Sequence, residues 1–186
     1  MVSAKYLVLP LLMLILLLGC GGMTDDLMPS GSDKRPVVTP GTTGPFVGQN
    51  APDFTLPDTL GGSVTLSSAI TATGVKGAVL YFTMWCPICD AHMSNMQSTI
   101  LPLYPDVRFY IVDYVSGSVA DAANAQLTNG YWGSGFTVLA DTDQVVLNLY
   151  QATMGITVVV DSMGIVRMNE DYKDGTRLNS VLAGLP

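Results

Sequence analysis

Apolar residues fall in short runs separated by turn-forming segments, and the runs set the order of elements. Val79-Leu80-Tyr81-Phe82 is continuous, β-branched and aromatic, as expected of a strand buried on both faces. After it, from Pro87 to about Leu101, a mixed polar and apolar stretch without glycine predicts a helix that Pro102 ends. Upstream, alternation on either side of Gly61-Gly62, up to Leu56 and again in Ser63-Val64-Thr65-Leu66, predicts two short strands in a hairpin. Ser67 to Thr73 reads as a short helix or loop. Downstream the pattern predicts a strand at Val107 to Asp113, a helix at Ser118 to Leu127 that stops at Asn129-Gly130, and a strand at Phe136 to Ala140. A short helix at Asp143 to Gln151, strands at Ile156 to Val160 and Ile165 to Met168 around a turn at Asp161 to Gly164, and a final helix at Thr176 to Leu185 complete the chain. This order predicts an α/β fold with a mixed central β-sheet flanked by helices and an N-terminal β-hairpin.

The first residues follow a different pattern. Met1 to Lys5 is short and basic, Tyr6 to Leu18 is almost wholly apolar, and Gly19-Cys20 follows. That is the layout of an export signal, because a spanning helix needs about 20 apolar residues. Leu17-Leu18-Gly19-Cys20 also resembles the lipobox of bacterial lipoproteins, which implies that Cys20 carries lipid and becomes the first mature residue. Met23 to Pro45 is rich in Gly, Pro, Ser, Thr and Asp, with little to bury, and reads as a tether. The predicted organisation is therefore a signal peptide over 1–19, a lipidated Cys with flexible tether over 20–45, and one folded domain over 46–186. The expected location is the bacterial cell envelope, lipid-anchored and facing the periplasm or exterior. A net charge of −7, from 15 acidic and 8 basic residues, argues against nucleic acid as a partner.

Charge and tether leave the chemistry to the cysteines. Of the three, Cys20 is assigned to lipid, and Cys86 and Cys89 are the thiols of the folded part. They stand where the buried strand hands over to the helix. The first helical turn has unpaired N–H groups and a partial positive charge, which favour a thiolate, so Cys86 is the candidate nucleophile. Pro87 suits the first helical position, and Cys89, three residues on, is close enough to close a small disulfide ring. A lone Cys-x-x-Cys pair is more economically a redox pair than a structural scaffold. No cofactor is expected, and covalent haem is excluded because Asp90, not His, follows Cys89.

Three stretches carry a resemblance to a known family: Ala51-Pro52-Asp53-Phe54-Thr55-Leu56 before the hairpin, Trp85-Cys86-Pro87-Ile88-Cys89 after a buried strand, and Thr157 to Asp161 with Gly164. From Phe46 to Leu185 the sequence resembles the thioredoxin-like superfamily, in the redoxin (AhpC/TSA-like) branch that includes lipid-anchored TlpA/ResA-type thiol-disulfide oxidoreductases. The resemblance implies disulfide exchange, with Cys86 attacking a partner disulfide and Cys89 resolving the mixed disulfide; the expected direction is reduction of the partner. It implies a protein disulfide or dithiol substrate and a membrane or periplasmic thiol donor. Trp85, Pro87, Thr83 and Gly155 are the expected site-lining residues.

The sequence also departs from the pattern. Gly155 occupies the position of the family's cis-proline, and no proline lies between Pro105 and Pro186. Leu80 stands where thioredoxins bury a base. His92 replaces the Glu that many relatives carry three residues after the second Cys. It is the only histidine, and its spacing places it on the Cys89 face of the helix, as a proton acceptor for Cys89 or as a solvent-facing side chain.

Two other functions compete. A peroxide reductase would use Cys86 with Thr83, but the matching proline position is Val79 and Arg167 is a weak candidate for the required arginine. A Cu(I)-binding or copper-delivery module would use the two thiols, His92 and one of Met84, Met93 or Met154. Tyr131-Trp132 in a Gly-rich turn is read as packing on the sheet edge or as a lip that meets a partner.

Overall fold

Every residue from Gly77 to Thr83 is buried, and this run is the central strand in a computed structural model whose described residues are 38–186. The predicted signal peptide, Cys20 and most of the predicted tether lie outside the described residues. In chain order the elements are β1 (Thr55–Pro57), β2 (Ser63–Thr65), α1 (Leu66–Ile70), β3 (Gly77–Thr83), α2 (Pro87–Asn95), β4 (Val107–Asp113), α3 (Val119–Thr128), β5 (Thr137–Ala140), α4 (Val145–Leu149), β6 (Ile156–Asp161), β7 (Val166–Asp171) and α5 (Thr176–Ala183). β1 and β2 form the predicted hairpin, with Leu56 opposite Val64. The main sheet runs β5-β4-β3-β6-β7, with β3, β4 and β5 parallel and β6 and β7 antiparallel to their neighbours.

Alternation along β3 divides the interior. Val79 and Tyr81 face one side, where Cys89, Met93, Met96 and Ile100 pack with Leu178 and Leu182 of α5. Ala78, Leu80 and Phe82 face the other, against Phe54, Leu56, Leu66, Ile70 and Val146. Because both faces are covered, β3 reads as an unbroken apolar run. The same period of two turns Leu80 away from α2 and Tyr81 towards it.

Two boundaries differ from expectation. The helix that opens at Pro87 loses its α geometry after Asn95, widening into a π turn over Met96–Ile100 and then a 3₁₀ turn over Leu101–Leu103. There Ser98 Oγ donates to Ser94 O at 2.8 Å and Thr99 Oγ1 to Asn95 O at 2.7 Å, side-chain bonds that compete with the helical ladder. The ordered fold also begins ahead of Phe46. Thr43 bridges Asn50, and Asn169 Nδ2 donates to Pro45 O at 2.9 Å, so backbone groups at the end of the expected tether find partners in the fold. Among the described residues no helix is long and apolar enough to cross a membrane.

Candidate functional site

Cys86 is the N-cap of α2, with extended backbone (φ −87°, ψ 164°) and Pro87 as the first helical residue. Its Sγ accepts a hydrogen bond from Cys89 N at 3.3 Å, the bond expected of an N-cap side chain. Both cysteines are free thiols, 3.0 Å apart between sulfurs. They differ in access, since Cys86 is half-buried and Cys89 has no exposed surface. Burial works against ionisation of Cys89. Hydrogen bonds from the Cys86 thiol, from backbone N–H groups of Met84 and Cys86 and from the Thr83 hydroxyl outweigh it, holding Cys89 below the usual thiol value. At this separation the first negative charge belongs to the pair, and solvent access makes Cys86 the sulfur that a partner can reach.

The turn carrying Cys86 is held from below. Trp85 has a left-handed backbone (φ 59°), a conformation that costs a non-glycine residue about 1–3 kcal/mol unless its surroundings enforce it. Trp85 N donates to Thr83 Oγ1 at 3.0 Å, and Trp85 Nε1 to Asp113 Oδ2 at 2.8 Å. Asp113 is fully buried, placed beside the turn by its parallel register with Thr83. It also accepts from Val115 N, Ser116 N and Ser116 Oγ.

Behind Cys89, the Tyr81 hydroxyl lies 3.0 Å from His92 Nδ1. Burial, followed by the nearby cysteine charges, pushes the Tyr81 phenol far up, so it stays protonated. The His92 ring packs on Tyr172 with centroids 4.9 Å apart. Burial lowers the His92 pKa, and the Asp171 carboxylate pulls the other way without cancelling it. The hydrogen bond of the His92 ring is to Tyr81 and not to Cys89.

Gly155 stands next to this group. Its N–H donates to Phe82 O at 3.0 Å and its carbonyl accepts from Tyr172 N at 3.0 Å. With φ at +84° and that N–H engaged, the position is closed to proline, whose φ is fixed near −65°. Met154, just before it, brings its Sδ to 3.2 Å from Cys86 Sγ. Met93 is fully buried and Met84 points outward. The large apolar side chains Met84 (45% exposed) and Ile88 (57%), each two residues from Cys86, face solvent, as does Trp132 (55%). Tyr131, by contrast, is buried, donates to Asp90 Oδ1 at 2.7 Å and lies 6.4 Å from the Trp85 ring. Of the predicted aromatic pair, one member packs and the other is exposed.

Arg167 is not brought to the cysteines. It is held by Asp161, which pairs with Gly77 at the opposite end of β3. Among the described residues, no group of three or more His, Cys, Asp or Glu side chains is placed to hold a metal ion. Sequence reasoning missed Tyr81, Asp113 and Asp171. The signal for Tyr81 was its strand parity with Thr83, whereas Asp113 and Asp171 depend on which strands become neighbours.

Comparison with solved structures shows the fold alone at these levels of identity. A proposed protein disulfide isomerase from Bacteroides thetaiotaomicron is 21% identical, with a TM-score of 0.62 over 75% of this chain and 89% of its own. A proposed thiol:disulfide interchange protein DsbE from Chlorobium tepidum is 23% identical, with a TM-score of 0.60 over 74% and 96%. The peroxidoxin BcpB from Mycobacterium tuberculosis is 20% identical, with a TM-score of 0.57 over 74% and 94%. Comparison with curated proteins found no significant match. The AhpC/TSA family matches residues 47–169, from ahead of the hairpin into β7, and the chain belongs to that family.

Proposed function

We propose that the protein is an extracytoplasmic thiol-disulfide oxidoreductase of the TlpA/ResA type that reduces protein disulfides through Cys86 and Cys89. The observation that carries this reading is a dithiol 3.0 Å apart at a helix N-terminus, with one sulfur open to solvent and the other enclosed. Cys86 attacks a partner disulfide, forming a mixed disulfide and releasing one partner thiolate. Cys89 then loses its proton and attacks Cys86 Sγ. The second partner thiolate leaves, and two electrons have passed to the substrate as the Cys86–Cys89 disulfide forms.

Tyr81 and His92 serve the second step. Tyr81, packed in the same core as Cys89 and 3.0 Å from His92 Nδ1, is the candidate carrier of the Cys89 proton to that ring. The exposed apolar side chains of Met84, Ile88 and Trp132 are taken as the collar that meets a protein substrate. An export signal over 1–19, lipid on Cys20 and a tether to about residue 38 would hold the domain at the membrane, where a membrane or periplasmic thiol donor re-reduces it.

Incubation of the reduced chain with a protein disulfide tests the proposal. Wild type reduces it, Cys89→Ser accumulates a mixed disulfide through Cys86, and Cys86→Ser is inactive. Turnover that persists in Cys86→Ser would sink the reading.

A further inference from the structure

We propose that Cys86, Cys89 and Met154 form a three-sulfur site that binds one Cu(I) ion when the dithiol is reduced. The three sulfurs are contiguous: Cys86 Sγ lies 3.0 Å from Cys89 Sγ and 3.2 Å from Met154 Sδ. The thioether is only a weak hydrogen-bond acceptor for the Cys86 thiol. As a donor to a soft cation it is well matched, and two thiolates with a thioether are ligands that select Cu(I).

The rest of the site argues for that ion over Zn(II). A closed zinc site uses four Cys, His or carboxylate ligands, and among the described residues no three such side chains are placed together. His92, the nearest imidazole, has its Nδ1 engaged by Tyr81. Of the other methionines considered, Met93 is sealed in the core, and the Met84 side chain is turned to solvent. The backbone behind Met154 is compatible with metal entry. Gly155, with a left-handed backbone, follows Met154, and a side chain there would meet Asp171 Oδ1 and His92, not the sulfurs.

Binding is an exchange of protons for metal. Cu(I) enters, the two thiol protons leave to solvent, and no electron moves. The sulfurs must separate beyond 3.0 Å to surround the ion, which a rotation of the half-exposed Cys86 side chain provides. The Cys86–Cys89 disulfide has no free thiolate, so oxidation closes the site. Disulfide exchange does not need Met154 as a ligand, so loss of copper binding and loss of exchange are separate outcomes.

The test is anaerobic competition of the reduced full-length chain with bathocuproine disulfonate for Cu(I), with X-ray absorption of the loaded protein. The expected result is one Cu(I) per chain with three sulfur neighbours. Met154→Leu, which keeps the side-chain volume, should leave two sulfur neighbours and weaken binding by about tenfold or more. Its circular dichroism and reversible Cys86–Cys89 disulfide report that the fold is intact. Failure to retain Cu(I) against the chelator, equal affinity in Met154→Leu, or equal retention of Zn(II) would each overturn the proposal.

Discussion

A histidine that accepts a proton from an enclosed thiol must be neutral at working pH and connected to that thiol by hydrogen bonds. Burial disfavours the His92 cation, and the Tyr81 hydroxyl lies 3.0 Å from its Nδ1. We expect its ring to titrate below 6.5 in NMR spectra, and lower still in Asp171→Asn, which removes the carboxylate that favours the cation. A value at or above 6.5 would contradict the burial argument. The folded state disfavours protonated His92, so this group leaves stability unchanged above about pH 6.5 and subtracts from it as pH falls through the lowered value. In stopped-flow measurements at pH 7, Tyr81→Phe and His92→Ala should each slow resolution of the mixed disulfide by about threefold or more, the low end of general-base effects. An unchanged rate between pH 6 and 8 in His92→Ala would remove the relay.

The turn between β3 and α2 holds its shape through groups on other elements. Trp85 is kept left-handed by Thr83 and by Asp113 of β4, which accepts four hydrogen bonds in a fully buried position. Asp113→Asn substitutes an amide that cannot accept from all four donors. It should cost about 2–3 kcal/mol in urea unfolding and move Trp85 fluorescence to longer wavelength. An unchanged midpoint would show that the turn stands without Asp113. This dependence explains what the sequence could reveal. Val79 to Phe82, Val107 to Asp113 and Ile156 to Val160 are legible as strands because burial on both faces makes them continuously apolar. Cys86, Pro87 and Cys89 are legible because helix-terminus chemistry is local. The partners of Trp85 and Cys89 are not, since Asp113 is aligned by the β3–β4 register and Tyr81 meets His92 only when α2 packs on β3. The break of α2 after Asn95 depends on hydroxyl bonds from Ser98 and Thr99 that weak helix propensities alone do not foretell.

Across the molecule, the central strand ends in the turn that carries the dithiol, and Met84 and Ile88 on either side of Cys86 are exposed apolar side chains. If the collar receives protein substrates, Trp132→Ser should lower kcat/KM for a protein disulfide several-fold while the rate with glutathione disulfide changes less. Equal losses for both substrates would place Trp132 in the fold and not in recognition. Every feature of the account converges on Cys86 and Cys89 as one reversible couple, and its potential is the decisive quantity. The full-length chain should be equilibrated in glutathione buffers and its thiols trapped. Both thiols are expected to disappear together as a two-electron couple with a midpoint near −270 mV, roughly the thioredoxin figure. A midpoint near −120 mV, roughly that of a strong disulfide donor, or no reversible disulfide at all, would contradict it.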